Sequence, residues 1–218
     1  MKALEAKNKR KEDVKLLILN AAKKLFLEKG FQATSVRNIA TEIGYSPTTI
    51  YLYYKDKSDI VYDLHQEGFA ILKNNLTTLS MVEAPFERLK ALGRSYLNFA
   101  KENPDFYELM FVLKEPMQFL DNDSNEEIWE GGRQVFGFIV NTIKECQSEG
   151  YFYTKDPNYI ALQAWGMVHG LCSLHITTRL QKIAQENFTS ASSDELLEQA
   201  FKTYVEFIER TNSLKHDK

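Results

Sequence analysis

The spacing of apolar residues is the feature of this 218-residue sequence that most restricts its fold. Apolar side chains mostly recur at positions i, i+3, i+4 and i+7, and only five prolines interrupt them. This spacing matches an α-helix, in which every third or fourth residue returns to the same face. The sequence therefore predicts an all-α protein with about nine helices.

Caps and helix breakers predict where the first helices begin and end. The first helix runs from Glu12 to Lys29 and stops at Gly30, and the second runs from Thr34 or Ser35 to about Glu42. Gly44 makes the next turn, and a third helix follows with Ser46 as N-cap and Pro47 at its first position. Later helices are predicted at about residues 56–80, 85–102, 104–113, 126–149, 157–181 and 194–212.

Charge is divided unevenly along the chain. Residues 1 to 57 carry 12 Lys and Arg against 6 Asp and Glu, whereas the remainder carries 15 against 24. The N-terminal end therefore suits a polyanionic partner and the rest of the chain does not. Residues 2 to 11 form either a basic arm or the solvated face of a helix, and charge alone leaves both interpretations open.

Composition and motifs exclude several classes of protein. No run approaches the roughly 18 apolar residues of a membrane-spanning helix, and the N-terminus lacks the apolar stretch of a secretion signal, so we expect a cytoplasmic protein without a membrane partner. Cys146 and Cys172 occur singly and are predicted to be packing residues. The sequence has no phosphate-binding glycine loop and no nucleophile elbow, and we expect no catalytic activity, cofactor or metal. The four histidines are scattered: His65, His169, His175 and His216.

The second and third predicted helices have the pattern of a helix-turn-helix. Ala40 is the small residue at the crossing, and Gly44 provides a turn residue that tolerates positive φ. Four apolar residues can fix the crossing angle: Val36, Ile39, Ile43 and Ile50. The same spacing also fits a generic helical hairpin.

The outer face of the third helix favours a nucleic-acid partner. If Ile50 and Tyr54 face inward, the outer face carries hydroxyl and compact apolar groups but no charge. The residues on or near it are Pro47, Thr48, Thr49, Tyr51 and Tyr53. In a major groove, hydroxyls can bond base edges and methyl groups can touch thymine. Alternatively, the tyrosines cap a small core.

Lys57 is a second indication of a DNA-binding surface. It lies in the first turn of the fourth predicted helix, where the helix dipole disfavours a cation by roughly 0.3 to 1 kcal/mol. A phosphate at that position would reverse this effect, because it can accept bonds from both the backbone N–H groups and the lysine.

The run GFQATSVRNIATEIGYSPTTIYLYYKDKSDI, residues 30 to 60, resembles the DNA-binding domain of the tetracycline-repressor (TetR/AcrR) family of bacterial regulators. The elements Thr-x-x-x-x-Ile-Ala, Gly-x-Ser and Ile-Tyr-x-Tyr-Tyr-x-x-Lys occur in order. The resemblance implies a DNA-binding domain over residues 1–58, with its helix-turn-helix at about 35–54, and a ligand-binding and dimerisation domain over residues 59–218.

The same resemblance implies roles for individual residues. Thr34, Ser35, Tyr53 and Lys57 would hold phosphates, while Arg37, Pro47, Thr48, Thr49 and Tyr51 would lie at or near bases; Ser46 completes the candidate DNA-binding set. Residues 2 to 11 would add phosphate or minor-groove contacts. Three residues depart from the family pattern: Thr48 stands where Gly is frequent, Tyr53 where His is frequent, and Tyr45 where Val is frequent. The departure at Thr48 is expected to change which bases are read.

Residues 164–171, Ala-Trp-Gly-Met-Val-His-Gly-Leu, resemble the Trp-His-Gly signature of one subgroup of C-terminal domains in this family. Gly166 and Gly170 lower helix propensity by about 1 kcal/mol each, which indicates close approach of another helix or a ligand. His169 is either a buried histidine bonded to a neighbour or a ligand contact.

Two sets of residues in the acidic part are candidates for effector binding and dimerisation. Aromatic and pliable side chains form the candidate pocket, although such a set is also typical of core: Phe106, Tyr107, Met110, Phe111, Trp129, Phe136, Ile139, Trp165 and His169. By the resemblance, the last two helices form a four-helix bundle with a second subunit. The candidate interface residues are Leu171, Leu174, Leu197, Phe201, Tyr204 and Ile208.

The resulting functional prediction is a homodimeric regulator. It would bind a near-palindromic double-stranded DNA operator and, as a repressor, be released by a small apolar or aromatic effector. An activator or co-repressor-dependent regulator with the same fold remains an alternative. So does a helical module that binds a protein partner, and the salt dependence of binding separates that module from a DNA-binding protein.

Overall fold

The structure is a computed structural model that describes residues 2–114, 130–152, 155–188 and 191–213. Within these ranges the chain forms ten α-helices and one five-residue π-helical segment, and no β-strand. The all-α prediction is therefore confirmed.

The helices are numbered here in chain order. Their bounds are α1 (Lys2–Lys29), α2 (Val36–Glu42), α3 (Pro47–Tyr51), α4 (Lys57–Leu79), α5 (Pro85–Glu102), α6 (Pro104–Tyr107), α7 (Glu130–Ser148), α8 (Pro157–Ile176), α9 (Arg179–Asn187) and α10 (Ser193–Ser213). The π-helical segment (Glu108–Val112) follows α6 directly.

The described residues fall into two compact units. The first consists of the residues up to Ala70 together with those from Asp105 to Glu130, and the second consists of Ile71–Pro104 and Gly131–Lys218. The first unit therefore contains more than the helix-turn-helix and its flanking helices. A functional boundary at residues 58 and 59 stays a prediction.

The core of the first unit comes from α1 to α4. Ile18 and Phe26 of α1, Ile39 of α2, Ile50 of α3 and Ile60 of α4 are all fully buried. The two short helices would be marginal alone, because they are only seven and five residues long. Burial of their apolar faces against the longer helices supplies most of the stability that they lack.

The first helix is longer than predicted, since α1 begins at Lys2 and not at Glu12. Residues 2 to 11 contain no Gly or Pro, and their many Lys, Ala, Glu and Arg residues are strong helix formers. The basic segment is therefore helical and continuous with α1. The described side chains of residues 5 to 13 are exposed, which matches the solvated helix face considered from the sequence.

In the second unit, α5 and α10 both pack against α8. Helix α9 contacts both α8 and α10. Leu97 and Phe99 of α5, Ala161 of α8 and Leu197 of α10 are buried and form part of its core.

Both cysteines lie among packed side chains of the second unit. Cys146 of α7 and Cys172 of α8 are buried, and burial raises the pKa of each thiol to about 12. The prediction that they are packing residues is confirmed.

The eighth helix ends earlier than predicted. The sequence predicts that it continues to residue 181, but α8 ends at Ile176 and α9 begins at Arg179. Thr178 between them has a φ of 58°, a left-handed conformation that L-residues other than glycine adopt at a cost of roughly 1 to 2 kcal/mol. The Thr177 hydroxyl donates to the Ser173 carbonyl at 2.6 Å, so it binds a carbonyl at the end of the preceding helix.

The predicted helix over residues 104–113 is divided between α6 and the π-helical segment. This segment lies beside His65 of α4, which is buried, makes a hydrogen bond to the backbone of Leu109 and leaves Nε2 without a partner. Burial lowers the pKa of His65 to about 4. The imidazole is therefore neutral in the folded protein at neutral pH.

His65 makes the stability of the protein depend on pH. The folded-state pKa is lowered to about 4 from the usual histidine value of 6.5, so as the pH falls the unfolded chain takes up this proton first. The contribution of neutral His65 to the free energy of unfolding is complete above about pH 6.5. It is lost as the pH falls toward 4, by up to about 1.4 kcal/mol per pH unit. Denaturant unfolding at pH 7, 6, 5 and 4 should show this slope in the wild type and a shallower slope in His65→Leu. Equal slopes would contradict it.

Candidate DNA interface and effector cavity

The α2–turn–α3 segment is held by local hydrogen bonds. Ser35 and Asn38 form a capping box, in which the Asn38 N–H donates to Ser35 Oγ at 3.2 Å and the Ser35 N–H donates to Asn38 Oδ1 at 2.9 Å. Gly44 adopts a φ of 71°, and the Tyr45 N–H closes the turn by donating to the Ala40 carbonyl at 2.9 Å. A β-carbon would strain the backbone at Gly44.

The start of α3 is capped as predicted. Ser46 Oγ accepts from the Thr49 N–H at 3.2 Å, and Pro47 occupies the first turn, where its missing N–H costs nothing. Ile50 is fully buried and Tyr54 is 4% exposed, so both face inward.

Tyr54 is fixed by α4. Its hydroxyl donates to Asp63 Oδ2 at 3.0 Å, and the Lys15 ammonium lies 2.6 Å from the same oxygen. Burial, followed by the charge of Asp63, raises the pKa of Tyr54 well above its usual range. These contacts orient α3 against α1 and α4.

Most of the predicted DNA-binding side chains share the surface around α2 and α3. Ser35, Arg37, Ser46, Thr48 and Tyr51 are exposed or partly exposed, and Pro47, Thr49 and Tyr53 are half-buried. Tyr51 is 57% exposed, so it does not cap a small core.

Thr34 is not on this surface. Its side chain is only 1% exposed, and its hydroxyl is 3.1 Å from the Leu25 carbonyl oxygen and 2.9 Å from that of Gly30, to which it donates. The hydroxyl thereby holds the turn between α1 and α2. This corrects the assignment of the Thr34 side chain to a phosphate contact.

Lys57 also has partners within the protein. Its ammonium donates to the Phe31 carbonyl at 2.6 Å and to the Thr34 carbonyl at 2.9 Å, and it lies 4.0 Å from the centre of the Phe31 ring. Burial lowers the pKa of this lysine. Lys57 therefore ties α4 to the α1–α2 turn.

Two exposed residues at the same surface were not among the predicted contacts. Leu52 is 75% exposed and Tyr45 is 40% exposed. Leu52 could have been found from the sequence, because it lies one helical turn after Thr48 and two residues after the inward-facing Ile50.

The second unit contains an apolar cavity of about 70 Å³. Its walls come from Gly93 and Tyr96 of α5, Ile139 of α7, Trp165 of α8 and Phe201 of α10, together with other side chains of these helices, the end of α4 and Phe152. A β-carbon on Gly93 would lie 2.7 Å from Phe201 Cε2, so a glycine is needed where this ring approaches α5.

Polar groups occur at a few points around the cavity. The Tyr96 hydroxyl and His169 Nδ1 are 3.1 Å apart, and burial lowers the pKa of His169. Lys90 also lines the cavity and donates to Glu209 at 3.1 Å. Burial alone would lower the pKa of Lys90, but hydrogen bonds to Glu87 and Glu209 outweigh it and the pKa is raised.

The predicted effector-binding residues divide among several environments. Ile139 and Trp165 line the cavity. His169 is bonded to Tyr96 and has its ring 5.6 Å from that of Trp165, as expected for a buried histidine bonded to a neighbour. Phe136 packs against the core cluster that contains Val140. Trp129 lies outside the described residues.

The other four predicted effector-binding residues belong to the first unit. Phe106, Tyr107 and Met110 are buried there, and the Phe111 ring packs edge-on against Phe69 at 6.1 Å. A β-carbon at Gly68 would lie 2.2 Å from Met110 Sδ, so α4 and this segment are in close contact. None of the four lines the cavity of the second unit, and Phe111 is half-buried while the other three belong to the core of the first unit. Their assignment to effector binding stays a prediction.

The predicted interface residues are also divided. Leu197 and Phe201 are buried within one chain, and Phe201, Tyr204 and Ile208 line the cavity. Leu197 and Phe201 are therefore unavailable to a second subunit, which corrects their assignment. Leu171 and Leu174 are half-buried.

The exposed apolar surface of α8 and α10 lies elsewhere. Leu162 is 52% exposed and Phe207 is 71% exposed. A β-carbon on Gly166 or Gly170 would meet nothing within 4 Å. No other part of the described chain therefore approaches these two glycines, and the predicted close approach of another helix or a ligand is not made within the single chain.

Two sequence models of known families match the chain. The model for bacterial regulatory proteins of the tetR family matches residues 18–64, and that for the tetracyclin repressor-like C-terminal domain matches residues 89–203, which is more than half of the chain. The capped helix-turn-helix lies within the residues that match the model for bacterial regulatory proteins, which defines the class as transcriptional regulators. The chain belongs to the tetracycline-repressor family of these regulators.

A sequence relative and two solved structures are similar to this chain and are consistent with this family. The transcriptional regulator HbdR of Aromatoleum sp. (strain CIB) is 26% identical over 166 residues, which cover 72% of this chain and 68% of HbdR. The regulator PfmR of Thermus thermophilus has the same fold, with a TM-score of 0.66 at 21% identity over 88% of this chain and 97% of PfmR. AibR in complex with isovaleryl coenzyme A and operator DNA also has this fold, with a TM-score of 0.66 at 18% identity over 88% of this chain and 95% of AibR.

Members of this family bind operator DNA as homodimers and bind small-molecule effectors. None of the described helices is long and apolar enough to cross a membrane. The Trp-His-Gly subgroup stays a prediction.

Proposed function

We propose that the protein is a cytoplasmic repressor that leaves a near-palindromic operator when a small apolar or aromatic effector binds. The observation that carries the DNA-binding part is the uncharged face of α3, which bears Thr48 and Tyr51 and is exposed beside a capped turn. A homodimer presents two such faces to successive major grooves, about 34 to 36 Å apart.

Selection of binding sites from random DNA by the purified protein tests this proposal. The selected sequences should contain two inverted half-sites with centres about 10 base pairs apart, or a multiple of that spacing. A homodimer with two-fold symmetry requires the inversion. The absence of any enriched sequence would contradict the proposal.

The proposed phosphate contacts are Ser35, Tyr53 and Lys57. An ammonium carries three donors, and two of those of Lys57 bind carbonyl oxygens of the α1–α2 turn, so one donor remains for a phosphate. The Ser58 and Asp59 N–H groups at the start of α4 already donate to Asp56 Oδ1. Lys9, Arg10 and Lys11 on the exposed start of α1 would add phosphate contacts from a helix. The proposed base contacts are Arg37, Pro47, Thr48, Thr49 and Tyr51, with Ser46 as the cap that positions α3.

Substitutions at Thr48 of α3 and at Tyr53, two residues after its end, should separate contacts to phosphates from contacts to bases. Tyr53→Phe removes one hydroxyl per subunit and should weaken binding to all sequences alike, by roughly two- to tenfold for each of the two hydrogen bonds lost. Thr48→Gly should instead change which base is preferred at one position of each half-site. Competition binding against a panel of single-base operator variants measures both effects.

Thermal melting of both variants controls for destabilisation of the protein. Destabilisation would lower the affinity for every operator variant and leave the ratios between operator variants unchanged. The assignment of roles is wrong if Thr48→Gly leaves the preference intact and Tyr53→Phe alters it.

The dimer interface is proposed to lie on the exposed faces of α8 and α10. Leu162, Gly166 and Gly170 follow one line along α8, and Phe207 is exposed on α10. Two glycines without neighbours allow the backbone of a second copy to approach closely. A two-fold axis through this region would pair the α8 helices of both subunits.

The effector is proposed to occupy the apolar cavity of the second unit. Its lining of aliphatic and aromatic side chains favours an apolar ligand, and the lining residues with polar groups are Lys90, Tyr96, Trp165 and Tyr204. To lower operator affinity ten- to hundredfold, the effector must prefer the non-binding conformation by about 1.4 to 2.7 kcal/mol.

A further inference from the structure

Leu52 is the most exposed apolar residue near α3. It caps the helix at its C-terminal end, yet its φ of −75° and ψ of −16° are helical. The Leu52 N–H donates to the Thr49 carbonyl at 3.2 Å, and the Tyr54 N–H donates to the Ile50 carbonyl at 3.1 Å. The helical turn therefore continues past Tyr51, and Leu52 keeps a helical position on it.

The helical position fixes the direction of the Leu52 side chain. Residues four apart share a face of a helix, so Leu52 lies next to Thr48, and residues two apart lie on nearly opposite sides. Ile50 is fully buried, which identifies the inner side. Leu52 therefore stands on the outermost line of α3, together with Thr48, and its side chain is 75% exposed.

An exposed leucine on its own is ordinary. Leu52 differs because it continues the surface of α3 that is proposed above to bind DNA, where Tyr51 is 57% exposed and Tyr45 is 40% exposed. The apolar group that a major groove offers to such a side chain is the 5-methyl group of thymine. No other base carries an apolar group at that edge.

We propose that Leu52 is a specificity-determining residue that selects thymine at one position of each operator half-site by packing on its 5-methyl group. Thr48 lies on the same line of the helix and is also exposed. The proposal rests on the proposed function, because it requires α3 to lie in the major groove of an operator.

The test uses deoxyuridine, which lacks only the methyl group of thymine. In an operator obtained by selection with the full-length protein, each thymine is replaced in turn, symmetrically in both half-sites, and affinity is measured by fluorescence anisotropy. At one position the wild type should bind the deoxyuridine operator more weakly than the thymine operator. The loss should be about fourfold for each half-site, or about 15-fold for both half-sites, as expected for one methyl group each. At that position Leu52→Ala should bind the thymine and deoxyuridine operators equally. At every other position its response to deoxyuridine should match that of the wild type.

Two further variants serve as controls. Leu52→Met keeps an apolar side chain and should keep the sensitivity to deoxyuridine. Met81→Ala shortens a side chain that is 85% exposed in the second unit, and it should behave as the wild type does.

The proposal is overturned if Leu52→Ala remains as sensitive as the wild type at every thymine, or if the wild type is sensitive at none. Failure to select any specific sequence would overturn the proposed function as well. That result is distinct, because it appears before any thymine is replaced.

Discussion

Leu162→Glu should turn the dimer into a monomer and lower operator affinity by roughly 100-fold or more, because each subunit would then bind its half-site alone. Leu162 is 52% exposed on α8, beside the open surface of Gly166. In a two-fold interface the substitution places two carboxylates near each other, and each loses water without gaining a partner.

Sedimentation velocity and an operator titration measure the two effects of Leu162→Glu together. Gln185→Glu adds the same charge at an exposed position of α9 and should leave both properties unchanged. A Leu162→Glu protein that remains dimeric and binds the operator normally would show that α8 does not form the interface.

Ala164→Leu should produce a repressor that binds its operator but no longer responds to effector. Ala164 lines the cavity of about 70 Å³, and three added carbon atoms would fill much of that space. Operator affinity should stay near that of the wild type, because the substitution lies in the second unit and leaves α2 and α3 untouched.

A screen of apolar compounds against the wild-type protein–DNA complex provides the measurement for Ala164→Leu. A compound that binds only the folded state raises the free energy of unfolding by about 2.7 kcal/mol at 100 times its Kd. With Ala164→Leu, such a compound should neither raise the free energy of unfolding nor release the DNA. Ala84→Leu makes the same change at an exposed position and should respond normally. A wild-type response from Ala164→Leu would exclude this cavity as the effector site.

Local signals in the sequence were sufficient for the helix-turn-helix. The caps at Ser35 and Ser46 and the positive φ of Gly44 depend on residues only a few positions away, so short patterns predict them well. The burial of Ile50 follows from the helical period in the same way.

Signals that depend on distant partners were not available from the sequence. The Thr34 hydroxyl and the Lys57 ammonium bind carbonyl oxygens of the α1–α2 region, and the Lys57 partners lie 23 and 26 positions away. Phe201 was identified as apolar and helical, but apolarity does not reveal whether its neighbour is the same chain or a second copy. The structure resolves that question by burying it beside Gly93.

The division of the aromatic residues could not be predicted for a related reason. Phe106 and Met110 follow α5 closely in sequence, yet they pack on α4 in the first unit, where Gly68 leaves room for them. A stripe of aromatic residues at helical spacing predicts burial and does not identify the core to which it belongs.

The exposed face of α3 is proposed to bind operator DNA as part of a homodimer. A gel-shift titration of the purified protein on DNA from immediately upstream of its own gene, with nonspecific competitor and at about 50 and 200 mM salt, tests it most directly. A discrete complex of one dimer per site that weakens steeply at the higher salt is the predicted result. If neither this DNA nor sites selected from random sequences form a specific, salt-sensitive complex, the claim is contradicted, and a helical module for protein partners becomes the better account.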